Sequence, residues 1–201
     1  MNLLHYIPAW DWIKDYNRKL FADDAMAAVI VPQPCNYDSY YLFVVNDRTG
    51  GVQASLSGLT YSQVNMSLNN GNGDIVQGQK NILLDSVSSE KISCARHANG
   101  RDVWIVHRSG TALKAYLLTP TGLDTTPVVS NISSYNDQVS GTMKMSPNGN
   151  RMASCAYNFV ELFDFDAATG AFSNLRTISD FLHYGTVDIE FSPSGRYLSW
   201  T

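Results

Sequence analysis

The chain has 201 residues, a formal charge of −4 and 44% hydrophobic content, enough for one domain with a substantial core. Charged residues make up only 16%, and the 37 Ser and Asn outnumber the 32 charged side chains, so the surface is largely neutral and polar. No Lys/Arg cluster exceeds two adjacent residues, which argues against nucleic acid or an anionic membrane as partner. The longest apolar run, Ala25 to Val31, is far too short for a membrane span.

The amino end, Met1 to Tyr6, lacks a cationic segment, and Pro8, Asp11 and Lys14 break any apolar run behind it, so no signal peptide is expected. Leu3 to Ile7 and Trp10 to Lys14 read as middle strands of a blade entered part-way. Cys35, Cys94 and Cys155 are odd in number and lack metal-ligand spacing, so they are expected as small buried apolar side chains. Helical periodicity is interrupted within about two turns by Gly, Pro, Asn or Ser. Short runs rich in Val, Ile, Tyr, Phe and Trp recur between turn residues instead.

In chain order the predicted strands are Ala27 to Val31, Tyr40 to Val45, Tyr61 to Leu68 and Lys80 to Leu84. Lys91 to Ala95, Val103 to His107, Leu113 to Thr119 and Pro127 to Asn131 follow. Next come Thr142 to Met145, Arg151 to Ala156, Val160 to Phe165 and Leu175 to Ser179, then Val187 to Phe191 and Tyr197 to Thr201. They group in fours because the sequence repeats. Ser146-Pro147-Asn148-Gly149 and Ser192-Pro193-Ser194-Gly195 stand 46 residues apart between matching apolar positions, and the strand-turn segments ending at Gly122 and Gly170 stand 48 apart. His97-Ala98-Asn99-Gly100 is a weaker third copy of the first turn. A repeat of this length is one four-stranded blade. The expected fold is therefore an all-β propeller of four-stranded antiparallel blades. As one partial propeller domain, 1–201, it would hold partial blades at 1–24 and 185–201 and full blades at 25–86, 87–132 and 140–180.

Several segments also carry a family likeness: Ala28 to Pro34, Tyr61 to Leu68, Glu90 to Ile92, His97 to Trp104, Val160 to Asp166 and Glu190 to Gly195. Together they resemble the WD-repeat-like β-propeller of secreted or surface proteins from gliding-type bacteria, which often carry immunoglobulin-like modules and a C-terminal sorting domain. The resemblance covers nearly the whole chain and implies an extracellular or cell-surface setting. Against that family the chain is expected to be a fragment, without the opening blade, closing blades or sorting module. The resemblance brings no catalytic residues.

No nucleophile elbow, Ser-x-x-Lys in a catalytic context or glycine-rich phosphate loop is present. His97, Asn99, Arg101 and Asp102 are expected to decorate a hairpin turn rather than act as acid and base. Glu161, Asp164 and Asp166 lie on one predicted strand, where alternation sends Asp164 and Asp166 to the same side, away from Phe163 and Phe165, which favours a polar sheet face over a calcium loop. Asn69 to Asp74 reads as a flexible turn. The rim loops collect Arg48, His107, Arg108, Tyr135, Tyr157, His183 and Tyr184, side chains suited to a protein or glycan ligand. The expected function is accordingly a noncatalytic interaction or adhesion module, with no enzyme activity and no cofactor. The alternative is a lactonase-like propeller hydrolase with a channel metal near His97, Asp102 or His183.

Two geometric expectations complete the reading. Lys144 and Glu190 share one repeat position and should approach across a blade interface, within about 10 Å. The chain should form an open arc with exposed end blades prone to self-association, unless Trp10 to Lys14 pairs with Tyr197 to Thr201 to close a ring.

Overall fold

A computed structural model of the chain describes residues 27–46, 58–131, 141–156, 159–179 and 188–200. Turn-punctuated β runs become four antiparallel sheets. The first holds β1 (Ala27–Pro32), β2 (Ser39–Asn46) and β3 (Gly58–Asn65), with the short β4 (Asp74–Ile75) and β5 (Ile82–Asp85) both paired to β3. The second holds β6 (Ile92–Arg96), β7 (Val103–Ser109) and β8 (Ala112–Thr119), with β9 (Gly122–Leu123) and β10 (Val128–Ser130) on β8. The third runs β11 (Met143–Met145), β12 (Arg151–Ala156), β13 (Phe159–Asp166) and β14 (Ala171–Ser179), and β15 (Ile189–Phe191) with β16 (Leu198–Trp200) forms the fourth. The inner strands β1, β6, β11 and β15 succeed one another in contact, which is the blade succession of a β-propeller.

The repeated turns fold alike. Between β6 and β7 the His97 amide bonds to the Asp102 carbonyl, and the Gly100 amide bonds back to His97. Ser146 with Arg151, and Ser192 with Tyr197, repeat the first bond, while Gly149 and Gly195 repeat the second. The three glycines stand at φ 71°, 70° and 68°, a region in which a Cβ is strained. In the two stronger copies the Ser hydroxyl also accepts the amide of Arg151 at 3.0 Å or of Tyr197 at 3.1 Å. That side-chain bond explains why Ser opens the motif.

Three apolar layers hold adjacent sheets face to face. Val31, Tyr41, Phe43, Val45 and Leu59 meet Ile92, Ile105, Tyr116 and Leu118 between the first two sheets. Ala95, Trp104, Val106 and Leu113 meet Met143, Met152, Phe163, Phe165 and Phe172 between the second and third. Ala153, Cys155 and Val160 meet Ile189 and Phe191 between the third and fourth.

Turn-to-turn hydrogen bonds fix the angular setting, and they too repeat. Gln33 Nε2 donates to the Pro120 carbonyl at 2.8 Å, while the Ala98 amide and Trp104 Nε1 both donate to the Ala167 carbonyl, at 3.0 and 2.9 Å. Lys144 Nζ lies 3.2 Å from Glu190 Oε2, as their shared repeat position required. The pair is exposed, so it reports register more than stability.

Some boundaries move. β14 begins at Ala171 rather than near Leu175, because Asn174 adopts φ 51° inside the strand beside a register shift between Leu162 and Asp164; a bulge absorbs a residue that reads as a turn signal. Asn69–Gly71 forms a single 3-10 turn. Cys155 is buried, but Cys94 is half-buried and Cys35 is exposed in the β1–β2 turn at φ 60°, so the expectation of three buried thiols is corrected. The expected partial blade at 1–24, and with it closure through Trp10 to Lys14, lies outside the described residues. Among the described residues no helix is long and apolar enough to cross a membrane.

A Cβ on Gly170 would stand 2.8 Å from the Trp104 ring, at φ 75°. Gly170→Ala therefore meets both backbone strain and a clash across the blade interface. It should lower the unfolding free energy by about 2 kcal/mol in urea titration. Gly149→Ala, at φ 70° with nothing within 4 Å of the added carbon, should lose less.

Candidate functional site

Five buried ionisable side chains, Asp85, Lys91, His107, Arg108 and Glu161, stand at one end of the blades, where β2 leads toward β3, β7 into β8, and each outer strand toward the next inner one. At this end β7 carries His107 and Arg108, and both are fully buried. Their placement in an exposed rim loop is thereby corrected. β7 is packed between two neighbouring sheets, so its end residues turn into one interface or the other instead of into solvent. Alternation sends His107 toward the first sheet and Arg108 toward the third. Arg48, Tyr135, Tyr157, His183 and Tyr184 lie outside the described residues.

His107 enters a buried network that the sequence reading missed. Its Nδ1 lies 3.3 Å from Ser88 Oγ, and its Nε2 lies 3.2 Å from Asp85 Oδ2 in a contact bent away from the N–H axis. The same Asp85 oxygen accepts Lys114 Nζ at 2.6 Å, and Asp85 Oδ1 accepts the Val87 amide at 3.0 Å. The Tyr116 ring stacks on the imidazole with centroids 5.9 Å apart. Burial raises the Asp85 pKa, but hydrogen bonds from His107 and Lys114 outweigh it and hold the carboxyl well below its usual range. Burial also pushes His107 below its ordinary value despite the opposing pull of Asp85. The consistent state is an ionised Asp85 facing chiefly Lys114, beside a neutral imidazole. Tyr116 is raised to about 12, by burial and then by the Asp85 charge.

Ser88, His107 and Asp85 have the membership of a nucleophilic triad, yet Ser88 is buried and its hydroxyl also contacts the Ser89 carbonyl at 2.9 Å. The network instead ties down the connector from β5 to β6. Beyond Ser88, the Ser89 amide bonds to the Arg108 carbonyl at 3.1 Å, and the Arg108 amide bonds to the Lys91 carbonyl at 3.2 Å.

Arg108 pairs through Nη1 with Glu161 of β13, both side chains almost fully buried. Glu161 therefore does not share a solvated face with Asp164 and Asp166. It has the parity of Phe163 and Phe165, which are buried, and that alternation was the available signal. Asp164 does face outward and bonds to Arg176 and Asn174. The His97 turn behaves as expected. Asn99 Oδ1 accepts the amides of Arg101 and Asp102, each at 3.0 Å, while Arg101 Nε donates to Asp102 at 2.8 Å.

A cleft of about 730 Å³ runs along the inner strands beside this end. β1 contributes Ala27 to Pro32, β6 and its connector contribute Glu90, Ile92, Ser93 and Cys94, and β11 with its lead-in contributes Gly141 to Lys144. Among the described lining residues its titratable groups are Glu90, Cys94 and Lys144. Burial pushes the Cys94 thiol up to about 12, so it stays protonated at neutral pH and is a poor nucleophile. Among the described residues no group of three or more His, Cys, Asp or Glu converges as metal ligands. His97 and Asp102 are occupied in their turn, and His183 is outside the described residues.

No protein-family model matches the chain, and no curated relative matches it. Solved structures do. A candidate 6-phosphogluconolactonase from Bacteroides fragilis NCTC 9343 superposes with a TM-score of 0.51 at 13% identity, covering 86% of this chain and 60% of that one. A second candidate 6-phosphogluconolactonase, from Bacteroides uniformis ATCC 8492, gives 0.41 at 15% identity over 85% and 62% of the two chains. A protein of unknown function from Desulfotomaculum acetoxidans DSM 771 gives 0.45 at 14% over 84% and 45%. The chain thus spans less than two thirds of these structures. The first likeness establishes the β-propeller fold. The likeness to the first of these structures overturns the expectation of a noncatalytic adhesion module without enzyme activity.

Two outcomes follow from the buried groups. An unfolded His titrates near 6.5 while native His107 titrates lower, so below about pH 6.5 the unfolded chain binds more protons and stability falls with pH. Asp85 adds a second loss below about pH 4, because its native pKa is also depressed. His107→Gln should flatten the first window and leave the second, in urea titrations at stepped pH. Arg108→Ala removes a buried partner of the Glu161 charge and should cost about 3–5 kcal/mol; Arg108→Met combined with Glu161→Leu should recover most of that loss.

Proposed function

We propose that this chain forms part of a β-propeller hydrolase that opens sugar-acid lactones. The observation that carries the reading is the propeller architecture shared with the candidate lactonase from Bacteroides fragilis. Two features of the molecule support it. Buried Asp85, Lys91, His107, Arg108 and Glu161 cluster at one end of the blades, and the adjoining cleft of about 730 Å³ has room for a sugar-sized ligand. Lactone hydrolysis needs a base for water and polar groups for the developing oxyanion. The cleft offers a carboxylate, an ammonium, and the hydroxyls of Ser93 and Thr142. A kinship with WD-repeat-like surface propellers, and with it an extracellular or cell-surface location, belongs to the same proposal and rests on the sequence resemblance.

The test is a pH-stat assay on 6-phosphogluconolactone and on unphosphorylated gluconolactone, corrected for spontaneous opening. Enzymatic proton release that saturates with substrate is the expected result. A folded protein that leaves both lactones at the spontaneous rate overturns the reading. Faster opening of the phosphorylated substrate would assign the specificity.

A further inference from the structure

Among the described residues lining the inner-strand cleft Glu90 is the one carboxylate, and its backbone is held on both sides. It sits half-buried between Ser89 and Lys91, both buried. On one side Val87 is bonded to Asp85 at 3.0 Å, Ser88 contacts His107 at 3.3 Å, and Ser89 is bonded to the Arg108 backbone at 3.1 Å. On the other side Lys91 is bonded to the Arg108 amide at 3.2 Å, and β6 begins at Ile92. A connector of this length is ordinarily among the softer parts of a fold. Here side-chain contacts from Asp85 and His107 hold its first half and two backbone bonds to Arg108 hold its second, beside a cleft that Glu90 lines. Groups held this way approach their reacting partners with little reorganisation.

We infer that Glu90 is the general base of lactone opening in this cleft, an inference that rests on the hydrolase reading above. The Glu90 carboxylate takes a proton from water as the water oxygen attacks the lactone carbonyl carbon, giving a tetrahedral adduct. The adduct collapses with cleavage of the ring C–O bond. The departing oxygen receives the proton from the Glu90 carboxylic acid, so the base is regenerated and one water has been added across the ester. The product hydroxy acid then ionises to its carboxylate. Cys94 does not compete, since its thiol remains protonated at neutral pH. Lys144, lining the same cleft and paired with Glu190 at 3.2 Å, is the cation available to an anionic substrate or product.

The experiment measures kcat and KM for gluconolactone across pH 4 to about 9 in wild type, Glu90→Gln and Glu90→Asp, with Asp74→Asn as an exposed control. Circular dichroism melts verify folding. A general base contributes about 10²–10⁴-fold, so Glu90→Gln should lose at least about 100-fold in kcat with KM little changed. Its pH profile should lose the acid limb, which a merely structural residue would not remove. Glu90→Asp should retain part of the rate, and Asp74→Asn all of it. Wild-type turnover with Glu90→Gln within about threefold of it overturns the role of Glu90 and leaves the hydrolase reading standing. Absence of wild-type turnover overturns both.

Discussion

A blade in the middle of this protein has no solvent face. Each of the second and third sheets is covered on both sides by its neighbours, so the rule that one side of an antiparallel sheet faces water does not hold for their central strands. β7 shows the consequence, with six of its seven residues buried. Whatever stands on such a strand must be apolar or must find a partner across an interface. Polar and charged residues on these strands therefore become inter-blade connections.

This constraint divides each interface into two zones. Over most of its length the packing is apolar, with Trp104 and Val106 of one blade against Met152, Phe163 and Phe165 of the next. Toward one end the same rows continue into charged residues, from Val106 to Arg108 on β7 and from Phe163 back to Glu161 on β13. The Arg108 and Glu161 pair gains little net stability over an apolar substitute, because desolvating both charges offsets their attraction. Its effect is on placement: a guanidinium that must meet one carboxylate allows one sliding position of the two blades. At the opposite end Ala167 does the same with neutral groups, its carbonyl accepting donors from Ala98 and Trp104. This interface is thus pinned at both ends, with a compliant apolar layer between.

What could be read from the sequence divides along the same line. The turns were legible because Ser-Pro-x-Gly is local chemistry, a hydroxyl capping an amide and a glycine at positive φ, and its recurrence gave the blade. The meeting of Lys144 and Glu190 followed from that repeat alone. His107 and Arg108 were misplaced because a charged dipeptide ending a strand reads as the start of a loop, and nothing local reports a second blade lying over it. Glu161 was recoverable, since its parity with Phe163 and Phe165 put it on the inward row. Asp85 was not, because its partner Lys114 is 29 residues away on the next blade and no repeat copy marks it. β14 was shortened by the same local reasoning, where a bulge absorbed Asn174.

The two buried networks also give this end of the propeller a polar edge of fixed geometry. Apolar interfaces keep the blade angles but cannot hold a polar group toward solvent at a fixed position. The connector from β5 to β6 can, because Asp85, His107 and Arg108 hold it from behind, on strands of two different blades. Each anchor lies inside an interface that is itself pinned at both ends, so the position of Glu90 inherits the rigidity of three consecutive blades. A carboxylate on a free loop of equal length would lose that positional constraint to chain entropy. The functional surface is therefore built from the interfaces outward, and the buried charges matter chiefly for the geometry of the residues they leave exposed.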